Sequence, residues 1–252
     1  MDFRKIFDSS VPPAVFDKWR TRYCRECFDD VVEHSKLGAG KAALEIGPGT
    51  GQATEPILKT GCSYLAIELG ENFTEAIKKR FGRYNNFHIV NADFETYDFE
   101  YNQFDLVYSA ATIQWIPEEI GFPKVFQLLK SGGTFAMMLT GTDYEYANED
   151  LWSEIQKVYD LYFRPETEYS CNLVYSNVVN HGFTDFECRR YYKTRILNAE
   201  EFVLWTSIMA PHLTLQEPYK SEFFDGIRNA VLSFGNRIIL NDTITLYLAR
   251  KH

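Results

Sequence analysis

The stretch Leu44-Glu45-Ile46-Gly47-Pro48-Gly49-Thr50-Gly51-Gln52 runs from an apolar segment into three glycines at alternate positions. Residues 42–46 predict a buried strand ending at a glycine turn, and residues 54–60 predict a helix closed by Gly61. A turn between two such elements lets a ligand approach bare backbone, because glycine has no Cβ. The spacing is G-x-G-x-G. The dinucleotide fingerprint places its last glycine one residue later, where this chain has Gln52. A phosphate P-loop needs Gly-Lys-Ser/Thr, which does not occur here. A glycine-rich turn alone fits a purely structural bend equally well, so its meaning depends on its company.

Outward from the loop, short apolar runs alternate with helical patterns. Strands are predicted at residues 64–68, 87–91, 104–109 and 134–139. Helices are predicted at 72–81, with Asn72 as cap and Gly82 as stop, and at 122–129, ended by Ser131-Gly132-Gly133. Strand–helix alternation with nearly all-apolar strands implies an α/β fold whose parallel sheet is covered on both faces. The second half reads differently. Helices are expected at 149–162, 199–207 and 221–234, and strands at 186–192 and 243–249. Residues 193–242 between those strands are too many for a tight hairpin, and predict a helical cap over the ligand-binding edge of the sheet.

Two further segments give the loop a chemical meaning. Glu68 ends the second strand about twenty residues beyond the first loop glycine, where an acid can accept hydrogen bonds from both ribose hydroxyls. The third strand leads into Asn91-Ala92-Asp93-Phe94. An acid followed by an aromatic suits adenine: Asp93 can accept from the exocyclic amine, and Phe94 can offer its backbone N–H. Singly, Glu68 reads as a solvated strand end and Asp93 as a loop cap. With the glycine loop, they read as a nucleoside site.

The bulk numbers set the surroundings. In 252 residues, 45% are hydrophobic and 24% charged, as in ordinary globular proteins. Aromatics reach 16%, enough to fill a core and to line a pocket for a flat ligand. The net charge of −9 argues against a large phosphate-binding face, so no nucleic-acid partner is expected. The cluster Lys78-Lys79-Arg80 with Arg83 suits a solvated helix end. Cys24, Cys27, Cys62, Cys171 and Cys188 form no disulfide framework. Cys24-x-x-Cys27 has no second ligand pair, so no metal is expected, and both cysteines are placed one turn apart on a helix. No run approaches the roughly 18 apolar residues of a membrane span, and residues 1–13 lack an apolar signal core. A cytoplasmic protein, monomer or homodimer, is expected.

The order of these segments resembles the class I S-adenosylmethionine-dependent methyltransferases. The resemblance reaches beyond the core. Phe16-Asp17-Lys18-Trp19-Arg20-Thr21-Arg22-Tyr23 is similar to the Tyr-Asp-x-x-Arg-Pro-x-Tyr-Pro segment of a bacterial and fungal small-molecule branch, with Thr21 and Cys24 in place of its prolines. Ser109-Ala110-Ala111-Thr112-Ile113-Gln114-Trp115-Ile116 resembles that branch's Ser-Ala-x-x-x-His-Trp, and the Leu-Gln-Trp of trans-aconitate methyltransferases. Leu128-Leu129-Lys130-Ser131-Gly132-Gly133 looks like the family's leader-arginine-proline-glycine-glycine turn without its proline, and the tail from Gly235-Asn236-Arg237-Ile238 to Arg250 is also similar. The likeness covers residues 14–251.

The resemblance implies a Rossmann-like, doubly wound, mostly parallel seven-stranded sheet with helices on both faces and a helical cap, all one methyltransferase domain over residues 1–252. Residues 1–37 would form a helical segment covering the cofactor, 38–141 the cofactor-binding core, and 142–182 and 194–241 the cap and substrate insertions. S-adenosylmethionine would be the cofactor and S-adenosylhomocysteine its product. Gly47, Gly49 and Gly51 would pack against the methionine and ribose portion. Glu45 would hold the loop or the methionine ammonium, Glu68 the ribose, and Asp93 and Phe94 the adenine. Ser109 and Ala110 would lie beneath the methionine moiety, and Arg20 would pair with its carboxylate.

A sulfonium is already a strong electrophile, so the chemistry requires no catalytic base. His212, in the proposed cap, is the candidate by residue type; His181 precedes Gly182 as in a helix-ending turn and reads as structural. An acceptor pocket would draw on Gln114, Trp115, Tyr144, Tyr146 and Trp205, an aromatic lining suited to a small organic molecule and to a nearby cation. Methyl transfer to a small molecule, at oxygen, is the expected reaction. A non-catalytic S-adenosylmethionine-binding protein is the alternative from another class. An NAD-linked reductase is disfavoured by the glycine spacing, and because the one Tyr-x-x-x-Lys spacing, Tyr247 to Lys251, falls in the final strand.

Overall fold

The computed structural model describes residues 3–252. In chain order its elements are α1 (Phe3–Ser10), α2 (Pro13–Trp19), α3 (Arg25–Ser35), β1 (Ala42–Ile46), α4 (Thr54–Leu58), β2 (Ser63–Glu68), α5 (Glu71–Phe81), β3 (Phe87–Asn91), β4 (Phe104–Ala110), α6 (Glu118–Leu128), β5 (Leu129–Asp143), α7 (Glu149–Tyr162), β6 (Thr184–Leu197), α8 (Ala199–Ser207), α9 (Tyr219–Ser233) and β7 (Ile238–Arg250). The strands form one mixed, mostly parallel seven-stranded sheet in the order β3-β2-β1-β4-β5-β7-β6. This is the Rossmann-like arrangement expected from the sequence.

The chain divides into two compact units. A sheet unit holds Arg22–Thr140, Cys171–Tyr191 and Ile244–His252. A helical unit holds the described residues up to Thr21, with Gly141–Ser170 and Tyr192–Thr243.

In the sheet unit, β1 pairs in parallel with β2 and β4, β2 with β3, and β4 with β5. Strand side chains alternate between faces. Ala43, Tyr64, Ala66, Leu106 and Tyr108 enter one core, with Phe28, Ile57, Ile77 and Phe81 from α3, α4 and α5. Leu44, Ile46, Ile67 and Val107 enter the opposite core, with Phe122, Val125 and Leu128 from α6. Both faces are therefore buried, which is why the strands read as near-continuous apolar runs. The register sets Ile46 opposite Ile67 and Ser109, and Glu68 opposite Asn91, so the carboxyl ends of four strands lie side by side. Strand order reverses between β1 and β4, the position at which doubly wound sheets open a ligand crevice.

Several boundaries differ from the sequence-based ones. Helix α5 begins at Glu71 with Gly70 before it, so Asn72 lies inside the first turn and is not the cap. Helix α6 begins at Glu118, where Glu118 and Glu119 complement the dipole, and ends at Leu128 because Leu129 is already in the sheet. Ser131-Gly132-Gly133 does not end that helix. Between Phe104↔Leu129 and Leu106↔Thr134, β4 advances two residues while β5 advances five, so the Ser-Gly-Gly segment is an irregularity within β5. Gly132 adopts φ +76° there, and its amide donates to the Lys251 carbonyl at 2.6 Å. Cys24 precedes α3 and only Cys27 lies within it, so the two do not share a helix. Strands β6 and β7 are longer than expected, and the connection between them shortens to residues 198–237.

The helical unit has its own core, built from Ile155 on α7, Phe202 and Trp205 on α8, and Phe223 and Ile227 on α9. A capping box starts α8: Asn198 Oδ1 accepts from the Glu201 amide, and Glu201 Oε2 accepts from the Asn198 amide, both at 3.0 Å. The unit also buries an ion pair. Asp242 is 1% exposed, and its carboxylate accepts from the Arg195 guanidinium, 2.9 Å from Nη2, and from Thr142 Oγ1 at 2.7 Å. Removing one partner strands the other charge in a poorly solvated site. Asp242→Ala is expected to cost about 3–5 kcal/mol, read as a lowered urea midpoint. A loss below about 1 kcal/mol would show that Arg195 finds water or another partner.

Candidate functional site

The loop after β1 is built on backbone that favours glycine. Gly47, Gly49 and Gly51 have φ of +65°, +57° and +87°, a region that side chains disfavour. Two of them are also sterically closed. A Cβ on Gly47 would lie 2.3 Å from Thr112 Cγ2, and one on Gly51 would lie 2.4 Å from the Phe81 ring. Thr112 reaches Gly47 because Ala111 takes a left-handed turn (φ +59°) at the end of β4, with its amide bound to the Met138 carbonyl at 2.8 Å. Thr112 Oγ1 then donates to the Gly47 carbonyl at 3.0 Å.

Glu68 ties the loop to the next strand. Its Oε2 accepts from the Gly49 amide at 3.0 Å, and its Oε1 from the Gly70 amide at 2.9 Å. The carboxylate is thus held by two backbone donors at the carboxyl edge of the sheet, in a residue 8% exposed. Arg80 Nη1 adds a bond to the Thr50 carbonyl at 3.0 Å.

Glu45 lies behind the loop, fully buried on the face that carries Tyr64 and Tyr108. Its Oε2 accepts from Thr54 Oγ1 at 2.6 Å and from the Tyr64 hydroxyl, which also meets Tyr108 Oη at 2.7 Å. Glu45 Oε1 is buried with no hydrogen-bond partner among the described residues. Burial pushes the Glu45 carboxyl up to about 7, against the pull of the Thr54 and Tyr64 hydroxyls. Its contacts are with the start of α4 and with two tyrosines, so in this structure it braces the loop from behind.

Asp93 and Phe94 follow β3. Asp93 Oδ1 accepts from the Glu95 amide at 3.0 Å, and its carbonyl accepts from the Thr96 and Tyr97 amides at 3.2 and 2.9 Å. Phe94 is buried in the α6-side core. Ser109 is fully buried at the end of β4, and its hydroxyl accepts from the Ile113 amide at 2.8 Å; Ala110, next to it, is half-buried. Gln114 and Trp115 stand in the 3-10 turn that follows, both half-buried. Gln114 Oε1 is inaccessible to water and lacks a partner among the described residues.

The remaining sequence-predicted residues belong to the helical unit. Tyr144 meets Trp152, Phe202 and Trp205 edge-on, with ring centroids 5.1, 5.5 and 6.4 Å away. Trp205 is buried, and its indole donates to Thr21 Oγ1 at 3.4 Å. Tyr146 is 80% exposed and stands apart from that cluster. The Arg20 guanidinium lies 5.9 Å from the Phe16 ring centroid. His212 is buried between Tyr159, Phe163 and Phe223, with Nε2 at 2.9 Å from the Tyr159 hydroxyl. Burial lowers its pKa to about 4, so it is neutral at physiological pH. In the sheet unit, His181 ends a 3-10 turn before left-handed Gly182 and faces Glu118 at 3.4 Å.

Thr112, Phe81, Tyr64 and Tyr108 shape the loop and were not singled out from sequence. The two tyrosines had a signal: a phenol inside an all-apolar strand needs a polar partner, and Glu45 is the polar residue of the adjacent strand. The approach of Thr112 and Phe81 to the glycines is long-range and has no local signature.

The Glu45 site sets a pH dependence. Its folded pKa of about 7 lies above the ordinary 4.5, so between those values the folded state binds more protons than the unfolded chain. Its contribution is complete below the lower value and is lost as pH rises through about 7. Wild type is expected to lose about 2–4 kcal/mol relative to Glu45→Gln between about pH 5 and about pH 8. Parallel stability profiles for the two proteins would contradict this.

Known proteins share part of this sequence and its fold. Residues 44–137 match the model of a methyltransferase domain. Over 108 residues the chain is 32% identical to ribosomal RNA small subunit methyltransferase A of Hahella chejuensis, a match covering 42% of this chain and 38% of that protein. Over 161 residues it is 28% identical to malonyl-[acyl-carrier protein] O-methyltransferase 2 of Ilyobacter polytropus, covering 63% of this chain and 56% of that one. The chain thus spans well under two thirds of these relatives. Among solved structures, Haemonchus contortus phosphoethanolamine N-methyltransferase 2, in complex with phosphomonomethylethanolamine and S-adenosylhomocysteine, superposes with a TM-score of 0.59 at 16% identity, covering all of this chain (100%) and 60% of that one. Residues 44–137 are therefore similar to a methyltransferase domain, in a chain with the Rossmann-like methyltransferase fold.

Proposed function

We propose that this chain is an S-adenosylmethionine-dependent methyltransferase that acts on a small-molecule acceptor, at oxygen. The observation that carries the reading is the 3.0 Å bond from the Gly49 amide to Glu68 Oε2, which joins the bare glycine loop and the strand-end acid into one site at the β1/β4 switch point. The groups present suit such a donor. Gly47, Gly49 and Gly51 offer backbone without side chains, Glu68 a carboxylate for two hydroxyls, and Asp93 with Phe94 a polar edge and a backbone N–H for a base. Ser109 and Ala110 supply the neighbouring strand end. The methyltransferase-domain match and the likeness to a fold that holds S-adenosylhomocysteine elsewhere support the same reading.

S-adenosylmethionine, when bound, supplies a methyl group already activated by a sulfonium. The protein's task is then to orient the acceptor and keep water out, and orientation supplies up to about 7–11 kcal/mol in favourable cases. Gln114 and Trp115 are the acceptor-binding residues we favour in the sheet unit. Gln114 Oε1 is the supporting feature, because a buried carbonyl oxygen without a partner suits a donor brought by the acceptor. No general base is assigned. His212 is neutral, buried and engaged with Tyr159, which fits a structural role.

The ribosomal RNA relatives raise a second acceptor class, and the net charge of −9 disfavours it. Transfer of labelled methyl from S-adenosylmethionine to a small-metabolite pool, with RNA as a parallel acceptor, tests the reading. Label in a metabolite fraction is expected, with the product carrying an O-methyl group by mass spectrometry. Glu68→Gln is expected to lower kcat/KM for the donor about 10- to 100-fold, the loss of a charged acceptor. Label in RNA alone would overturn the acceptor class; no S-adenosylmethionine binding at all would overturn the proposal.

A further inference from the structure

We infer that Lys124 positions the Asp93-Phe94 turn for the adenine, an inference that rests on the reading of that turn given above. Lys124 lies in the middle of α6, and its ammonium reaches out of the helix to the segment after β3. Nζ donates to the Tyr97 carbonyl at 2.6 Å and to the Glu95 carbonyl at 3.2 Å. The same ammonium stands 5.3 Å from the Phe94 ring centroid and 5.5 Å from that of Phe99. One cation thus holds two carbonyls of the turn and caps the ring of the residue assigned to the base.

Three backbone amides close the turn on Asp93 or its neighbours. Asp93 Oδ1 takes the Glu95 amide, and the Asp93 carbonyl takes those of Thr96 and Tyr97. Those bonds fix its shape. Lys124, together with the Phe94 ring buried in the α6-side core, fixes its place, because α6 is anchored there by Phe122, Val125 and Leu128. A lysine serving only as a solvated charge would extend into water. This one is partly desolvated, enough to lower its pKa, with Asp98, Asp93 and Glu95 opposing that shift. A cavity of about 200 Å³ beside it, lined by Tyr97, Phe99, Pro123 and Gln127, leaves room for a longer or an uncharged side chain at this position.

Removing the ammonium should free the turn without emptying the core. Lys124→Met keeps an apolar stem and deletes both charge and donor, Lys124→Gln deletes the charge, and Lys124→Arg keeps a charged donor. In calorimetry on the full chain, Lys124→Met is expected to bind S-adenosylhomocysteine about 10-fold more weakly, the loss of a charged donor. Adenosine should weaken by the same factor, since the defect lies at the base. Lys124→Arg should recover affinity to within about threefold. Hydrogen exchange on the ligand-free proteins gives a readout independent of binding. Protection of the Glu95, Thr96 and Tyr97 amides should fall in Lys124→Met and Lys124→Gln, while β1 and β4 amides keep theirs.

Wild-type binding of S-adenosylhomocysteine with unchanged affinity in both uncharged variants would overturn the role of Lys124. Unchanged protection of residues 95–97 would do the same. Failure of wild type to bind any adenosyl ligand would instead sink the function proposed above. If Lys124→Met does not fold, Lys124→Gln carries the comparison. If both unfold while Lys124→Arg is intact, Lys124 is a stability residue and the inference fails.

Discussion

Three residues of left-handed backbone immediately after a buried strand are the constraint on which the site depends. Gly47, Gly49 and Gly51 allow β1 to end abruptly, and they allow Thr112 and Phe81 to close against the turn. The turn is pinned from three directions. Thr112 holds the Gly47 carbonyl, Glu68 holds the Gly49 amide, and Arg80 holds the Thr50 carbonyl. These contacts come from beyond β4, from the end of β2 and from α5. The loop is consequently a junction of the sheet's carboxyl edge, and a preorganised surface costs a ligand less ordering on binding.

Behind that junction the protein keeps a buried acid. Glu45, Thr54, Tyr64 and Tyr108 make a small polar network inside an otherwise apolar face. Such a network is costly unless satisfied, and one carboxylate oxygen has no hydrogen-bond partner among the described residues. Protonation relieves part of that cost, which is the physical reason the carboxyl is pushed upward. The front of the loop, where Glu68 meets backbone amides, keeps a carboxylate in contact with donors that favour its charge. Two acids about one strand apart thus have opposite environments and different work.

Much of the architecture was legible in the sequence because it rests on local periodicity. Nearly all-apolar runs at β1, β2 and β4 required a sheet covered on both faces, and the structure covers both. Boundaries were less legible where tertiary pairing overrides local signals. Ser131-Gly132-Gly133 reads as a helix stop but is an irregularity inside β5, because the sheet recruits Leu129 directly from α6. Asn72 reads as a cap, yet the backbone enters α5 at Gly70. Within the candidate site, Glu68, Asp93 and the glycines carry a signal of residue type and spacing. Lys124 does not. A lysine in an amphipathic helix carries no mark of the carbonyls it will meet, and those carbonyls belong to a segment 27–29 residues away.

The junction at the ends of β1, β2, β3 and β4 is proposed to receive an adenosyl sulfur nucleoside. Calorimetric titration of the full chain with S-adenosylhomocysteine, and in parallel with NADH, tests it most directly. Saturable one-to-one binding of the sulfur nucleoside, absent for NADH and weakened by Glu68→Gln, is the predicted result. Binding of NADH with no heat from S-adenosylhomocysteine would contradict the account.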